Sequence, residues 1–158
     1  MKKIICGLLT ALVLSGLFPV NVFAAESSEK VTVISKTETV LEDGSTIIEM
    51  VFQDSPLLQS FSAAGSRTGG KTVKYIVENG VVSWTVTVAG AFFYTGTSSR
   101  CVDAKYSYSI NAVGWSLVSG KAYCSINQAI ATATFRNSFG VTQSKRAILT
   151  CDNNGNLS

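Results

Sequence analysis

From Val31 onward, apolar and polar residues alternate with the two-residue period of a β-strand, and helical spacing is almost absent. Val82, Trp84, Val86 and Val88 alternate with Ser83, Thr85 and Thr87, which predicts a strand with one buried and one wet face. Phe92 and Tyr94 continue the inward parity past Gly90, so Phe93 falls on the wet face beside Thr85 and Thr87. Ala129, Ala131, Ala133 and Phe135 form a second inward set, opposite Ile130, Thr132 and Thr134. Alanines on a buried face let bulky partners approach, and Tyr106 and Tyr108 are suitable ones. Asn79-Gly80, between Thr72–Glu78 and Val81–Val88, is a strong hairpin signal. Further strands are expected over Val102–Ile110, Trp115–Val118, a short piece about Ala122–Ile126, Ala129–Arg136 and Val141–Cys151.

Between Lys71 and Ser158 this makes seven to eight short strands with turn signals every ~8–12 residues. The predicted fold is all-β, an antiparallel immunoglobulin-like β-sandwich preceded by an acidic β-hairpin. A closed barrel satisfies the same spacing. The hairpin comprises Val31–Val40 and Thr46–Phe52 around Leu41-Glu42-Asp43-Gly44, with glycine where a short loop favours a left-handed residue. Ser55 to Gly70, with Pro56, Ala63-Ala64-Gly65 and Gly69-Gly70, has the composition of a linker.

Upstream, Lys2 and Lys3 precede an apolar run from Ile4 to Val20, and Val22-Phe23-Ala24 offers a signal-peptidase site. Residues 1–24 are therefore expected to be a secretory signal cleaved after Ala24. The run is near the lower length limit for a permanent membrane span, and Cys6 lies inside it rather than at a lipoprotein position. The expected organisation is signal 1–24, acidic hairpin segment 25–54, linker 55–70 and sandwich 71–158, in a secreted, extracellular protein with no membrane span after cleavage.

Cleavage changes the charge. The formal +3 loses Lys2 and Lys3, and eleven basic residues against ten acids leave +1, too little to point to nucleic acid or another polyanion. The charge is also divided. Ala25–Ser60 carries seven acids against Lys30 and Lys36, a net −5, whereas nine basic residues beyond Phe61 face Glu78, Asp103 and Asp152, a net +6. An acidic flap docked on a basic body, a removable pro-segment and coincidence all fit.

Without Cys6, three cysteines remain, Cys101, Cys124 and Cys151. In an oxidising compartment an odd number implies one disulfide and a spare thiol, or an intermolecular bridge. Cys101 precedes a strand and Cys151 ends the last one, so Cys101–Cys151 is the expected bridge, contributing ~4 kcal/mol by closing a loop of about 50 residues. Cys124 is then a free or intermolecular thiol. Three reduced cysteines are the alternative. The spacing Cys101, Trp115, Cys151 partly matches an immunoglobulin domain, but Leu149 stands where such domains place a corner tyrosine.

The sequence contains no histidine, which removes the commonest general base, the commonest zinc ligand and the Ser-His-Asp and Cys-His pairs. Glu78, Asp103 and Asp152 form no catalytic motif, and Asp152-Asn153-Asn154-Gly155 lacks the acid spacing and closing Glu of a calcium loop. No catalytic residue, metal ligand or cofactor is expected. Binding is the preferred class, with an extracellular protein or glycan as partner. Phe93 and Tyr123 are the candidate ligand-binding aromatics, since exposed rings among Ser, Thr and Asn hold sugars or peptides. A bulge after Gly90 that turns Phe93 inward is the competing reading. The alternative class is a bacteriocin-like or inhibitor effector whose acidic pro-segment is released near Arg67.

The stretch from Ser83-Trp84-Thr85-Val86-Thr87-Val88-Ala89-Gly90-Ala91-Phe92 through Tyr94, Gly96 and Ser98 to Cys101 resembles an uncharacterised group of small secreted proteins of gut clostridia and related Gram-positive bacteria. The Leu-Glu-Asp-Gly hairpin turn and the ending Leu149-Thr150-Cys151 through Gly155-Asn156-Leu157-Ser158 are similar too. The resemblance covers most of the chain after the signal and implies an exported β-sandwich. It implies no activity, and Cys124 is an addition to its pattern.

Overall fold

The computed structural model describes residues 31–54, 64–77 and 79–158. The signal, residues 55–63 of the predicted linker and Glu78 lie outside the described residues. Among the described residues eight strands follow one another: β1 (Val31–Val40), β2 (Thr46–Asp54), β3 (Gly65–Ile76), β4 (Val82–Tyr94), β5 (Ser99–Ile110), β6 (Trp115–Ser125), β7 (Gln128–Asn137) and β8 (Thr142–Thr150). They form a five-stranded sheet in the order β1-β2-β3-β4-β5 and a three-stranded sheet β6-β7-β8, antiparallel throughout. The sheets stack as a sandwich, as the alternating pattern predicts. Among the described residues every strand pairs only with its neighbours in sequence. The immunoglobulin arrangement, in which Greek-key connections carry strands between sheets, is thus replaced by two consecutive meanders.

The two inward sets found in the sequence meet face to face. Trp84, Val86, Val88 and Phe92 of β4 and Ala129, Ala131, Ala133 and Phe135 of β7 are buried in one core with Ala147, Leu149 and Cys151. The Trp84 ring stacks on Phe135 at 4.4 Å and on Tyr75 at 5.3 Å between centroids. Its close fit needs the small residues: a Cβ on Gly90 would lie 2.7 Å from the Ala129 Cβ and from the Phe92 ring, so the sheets touch there. The two pieces expected over Trp115–Val118 and Ala122–Ile126 are one strand, β6, interrupted by a bulge between Leu117 and Ser119 that resets its parity.

The acidic hairpin forms where expected, with Gly44 at φ 76° and the Asp43 carboxylate accepting hydrogen bonds from the Ser45 backbone N–H and hydroxyl. It is continuous with the larger sheet. β2 pairs with β3 from Thr46↔Ile76 to Gln53↔Gly69, and its Ile47 and Val51 belong to the core. The linker expectation is corrected over residues 65–70, which are strand. Gly69 and Gly70 are there because side chains cross them. A Cβ on Gly69 would meet Leu157 and the Phe52 carbonyl, and one on Gly70 would enter the Phe52 ring.

The disulfide is Cys101–Cys124, with Cα atoms 5.5 Å apart, and not the expected Cys101–Cys151. The cause is topological. β5 and β6 run in opposite directions about the short Asn111–Gly114 connection, so the start of β5 returns beside the end of β6, and Cys101 N–H donates to the Ile126 carbonyl at 2.7 Å. Inward parity does place Cys151 with Ala147 and Leu149, but it seals the thiol in the core, as the free cysteine among the described residues. The bridge spans a sequence separation of 23, worth ~3 kcal/mol in the chain-entropy model.

Candidate functional site

The outer face of the five-stranded sheet follows from the same parity that fills its core. With Val88, Gly90 and Phe92 directed inward, Ala89, Ala91 and Phe93 stand on the opposite face of β4. Register adds their neighbours: Gly70 and Lys105 beside Ala89, Thr68 and Asp103 beside Ala91, Ser66 and Arg100 beside Phe93. Small residues in adjacent strands leave a shallow trough of about 190 Å³. Gly69, Ala89, Gly90 and Ala91 floor it, Asp54 and Thr68 line one side, and Asp103 and Lys105 the other.

Phe93 continues the line of the trough floor along β4. Its ring is 40% exposed, and the Arg100 guanidinium lies over it, 5.6 Å from the centroid. A bulge does occur beside it, between Ala91 and Phe92, but the extra residue is Val102 on β5. Because β5 absorbs the irregularity, β4 keeps its alternation and Phe93 stays on the wet side. Lys105 Nζ is 3.4 Å from Asp103 Oδ2, a surface pair whose groups remain open to water. The trough thus combines a floor without side-chain bulk, carboxylate acceptors at Asp54 and Asp103 and a cationic donor at Lys105, and Phe93 with its Arg100 stands beyond its end on the same face of β4.

Tyr123 occupies a different surface. It lies on the outer face of β6, 39% exposed, with Lys121 Nζ 5.6 Å from its ring centroid. Its cross-strand partner Ile130 is buried although it points away from the main core, so Tyr123 covers a small apolar patch of the three-stranded sheet. Phe93 and Tyr123 are therefore not brought together, although both lie near the disulfide: Phe92 pairs with Cys101, and Tyr123 precedes Cys124.

Two further acids have local roles. The Asp152 carboxylate accepts from Asn154 N–H, Asn156 N–H and the Asn156 side-chain amide, each at 2.8 Å. The Asn156 amide is the main reason its acid strength rises, with its pKa below the ordinary carboxylate value. Asp152-Asn153-Asn154-Gly155, which lacks the spacing of a calcium loop, is a turn closed on its own carboxylate. Asp43 is held low in the same way by Ser45. Among the described residues no group of three or more Cys, Asp or Glu is placed to hold a metal ion.

Alternation in the sequence places Phe93 on the wet face of β4, but nothing in it brings Asp54, Thr68, Asp103 and Lys105 together around the trough. The available signal was the coincidence of small residues, Gly69-Gly70 on one strand and Ala89-Gly90-Ala91 on the next. Two such runs in register leave a depression in a sheet. No protein-family model matches this chain, and no curated protein or solved structure matches it.

Proposed function

We propose that this is an exported, non-catalytic binding module that holds a neutral glycan in the trough on its five-stranded sheet. The observation that carries the reading is the alignment of exposed Phe93 with a Gly/Ala floor walled by Asp54, Asp103, Lys105 and Thr68. A pyranose presents an apolar C–H face and a rim of hydroxyls. The ring of Phe93 suits the former, and the carboxylates, hydroxyl and ammonium suit the latter. The walls carry Asp54 and Asp103 against Lys105, which is paired with Asp103, so the trough has no excess of positive charge and an uncharged sugar is favoured over a polyanion. The export expected from the N-terminal sequence fits the same reading, since an extracellular protein meets glycans and peptides rather than nucleic acid. The Cys101–Cys124 disulfide is compatible with that compartment.

The test is a glycan array probed with the wild-type protein and with the Phe93→Ala and Asp103→Ala variants. Binding to neutral oligosaccharides is expected, weakened roughly ten-fold or more by either substitution. Silence on the array, or binding indifferent to both substitutions, contradicts the proposal. The effector reading has a geometric cost: releasing the acidic segment near Arg67 would strip β2 from β3 and uncover Ile47 and Val51.

A further inference from the structure

β1 is the one strand exposed at every position. It pairs, among the described residues, with β2 alone. Val33, Ile34 and Val40 are 59, 44 and 69% exposed, an unusual load of β-branched apolar surface for a wet edge. The register with β2 assigns its faces. Lys36, Glu38 and Val40 align with Met50, Ile48 and Thr46 on the outer face of the sheet, and Ser35, Thr37 and Thr39 align with Val51, Glu49 and Ile47 on the inner one.

We propose that this edge is a dimerisation surface. Two copies join β1 to β1, antiparallel and centred on Thr37, so that the two five-stranded sheets become one continuous sheet. The strand is complementary to itself in that register. Lys36 of each copy faces Glu38 of the other, Ile34 faces Val40, Ser35 faces Thr39, and Thr37 faces its own counterpart on the dyad. Charge pairs and apolar pairs thus occupy the outer face, and hydroxyl pairs the inner one. Moving the centre by one residue sets Lys36 opposite Lys36, or Glu38 opposite Glu38, so the charges select a single register. Within one copy, Lys36 Nζ and Glu38 Oε2 are already 3.7 Å apart and both half exposed, aligned to form an alternating cluster of charges across the dyad.

The features that usually blunt an edge fit this partner. A lysine on an edge repels strands that offer no acid at the matching position, and β1 itself offers one. The bulge between Val33 and Ser35 ends regular pairing at Ile34, where the proposed overlap stops. The dyad runs perpendicular to the sheet, so both copies keep the same face outward. Both Phe93 troughs then look in the same direction, which suits bivalent attachment to a surface carrying repeated ligands. The dimer itself does not rest on what the trough binds.

Sedimentation velocity of the purified wild-type protein across the micromolar range should show a monomer–dimer equilibrium. Lys36→Glu alone and Glu38→Lys alone each replace two attractive pairs by two repulsive ones and should weaken association roughly ten-fold or more. The double variant K36E/E38K should recover the wild-type dimer. An equimolar mixture of the two single variants should also form a heterodimer, because each then supplies the charges the other lacks. Recovery on mixing also excludes misfolding as the cause of the single-variant defect. A wild-type monomer at every concentration overturns the proposal. So does a dimer indifferent to the single substitutions, or a failure of either complementation.

Discussion

Ile126 holds a backbone position that its side chain disfavours. It lies in the β6–β7 turn at φ 54°, where a β-branched residue is strained, and its side chain is 84% exposed. Ile126→Asn should therefore raise stability by ~1 kcal/mol, measured by urea unfolding; a loss of that size would show that the exposed side chain makes a contact worth more than the strain. Cys151 presents the converse case, a reactive group silenced by its surroundings. Burial, aided by the Asp152 charge, pushes its thiol up to about 11 from the ordinary 9.0, against a smaller opposing pull from Arg67. The unfolded chain thus loses this proton first as pH rises. Stability contributed by the neutral buried thiol is complete below pH 9.0 and declines toward pH 11, by roughly 2–3 kcal/mol. The urea midpoint of Cys151→Ala should fall less steeply between pH 9 and 11 than that of the wild type; equal slopes would refute this account. Among Cys101, Cys124 and Cys151, iodoacetamide should label none in the native oxidised protein and only Cys151 after denaturation without reductant. At this scale the sequence was informative about faces. Trp84, Val88, Phe93 and Cys151 all point where alternation directs them. It was silent on which cysteines meet, because parity fixes a side chain's face and not the strand end that lies beside it.

Between elements, the controlling contacts are those made by residues without side chains. Gly90 lets β4 approach β7, with the Ala129 Cβ filling the place its own would take. Gly90→Ala should cost ~1–3 kcal/mol by overpacking a core that has no room to yield, seen as a lower urea midpoint with an unchanged slope. A neutral outcome would mean that the sheets can separate locally. Glycine has a double meaning in sequence. Gly44 and Gly80 mark hairpin turns with positive φ, as their neighbours suggest. Gly69-Gly70 looks equally turn-like, yet lies within β3 beneath Phe52 and Leu157. The distinction depends on side chains brought from other strands, and no local window contains it. The same dependence explains why β6 read as two pieces: its bulge resets the alternation on which the reading relied.

As a whole molecule, the protein is an unequal sandwich whose larger sheet extends beyond the smaller. The acidic segment that looked separable forms two strands of that larger sheet, while the basic residues are divided between both sheets, with Lys121, Arg136, Lys145 and Arg146 on the smaller one. Alternation and turn spacing made the all-β, two-layer architecture legible. Strand order was not, because sandwiches with Greek-key and meander connections share the same periodicity. The trough, too, appears only when β2, β3, β4 and β5 are set in register, and it is the feature on which the functional account depends. The most direct measurement is a map of amide chemical-shift changes on titrating the isotopically labelled protein with neutral oligosaccharides. The account predicts changes clustered at Thr68, Ala89–Phe93, Asp103 and Lys105, and abolished in Phe93→Ala. Changes centred on Lys121, Tyr123 and Ile130, or none anywhere, would contradict it.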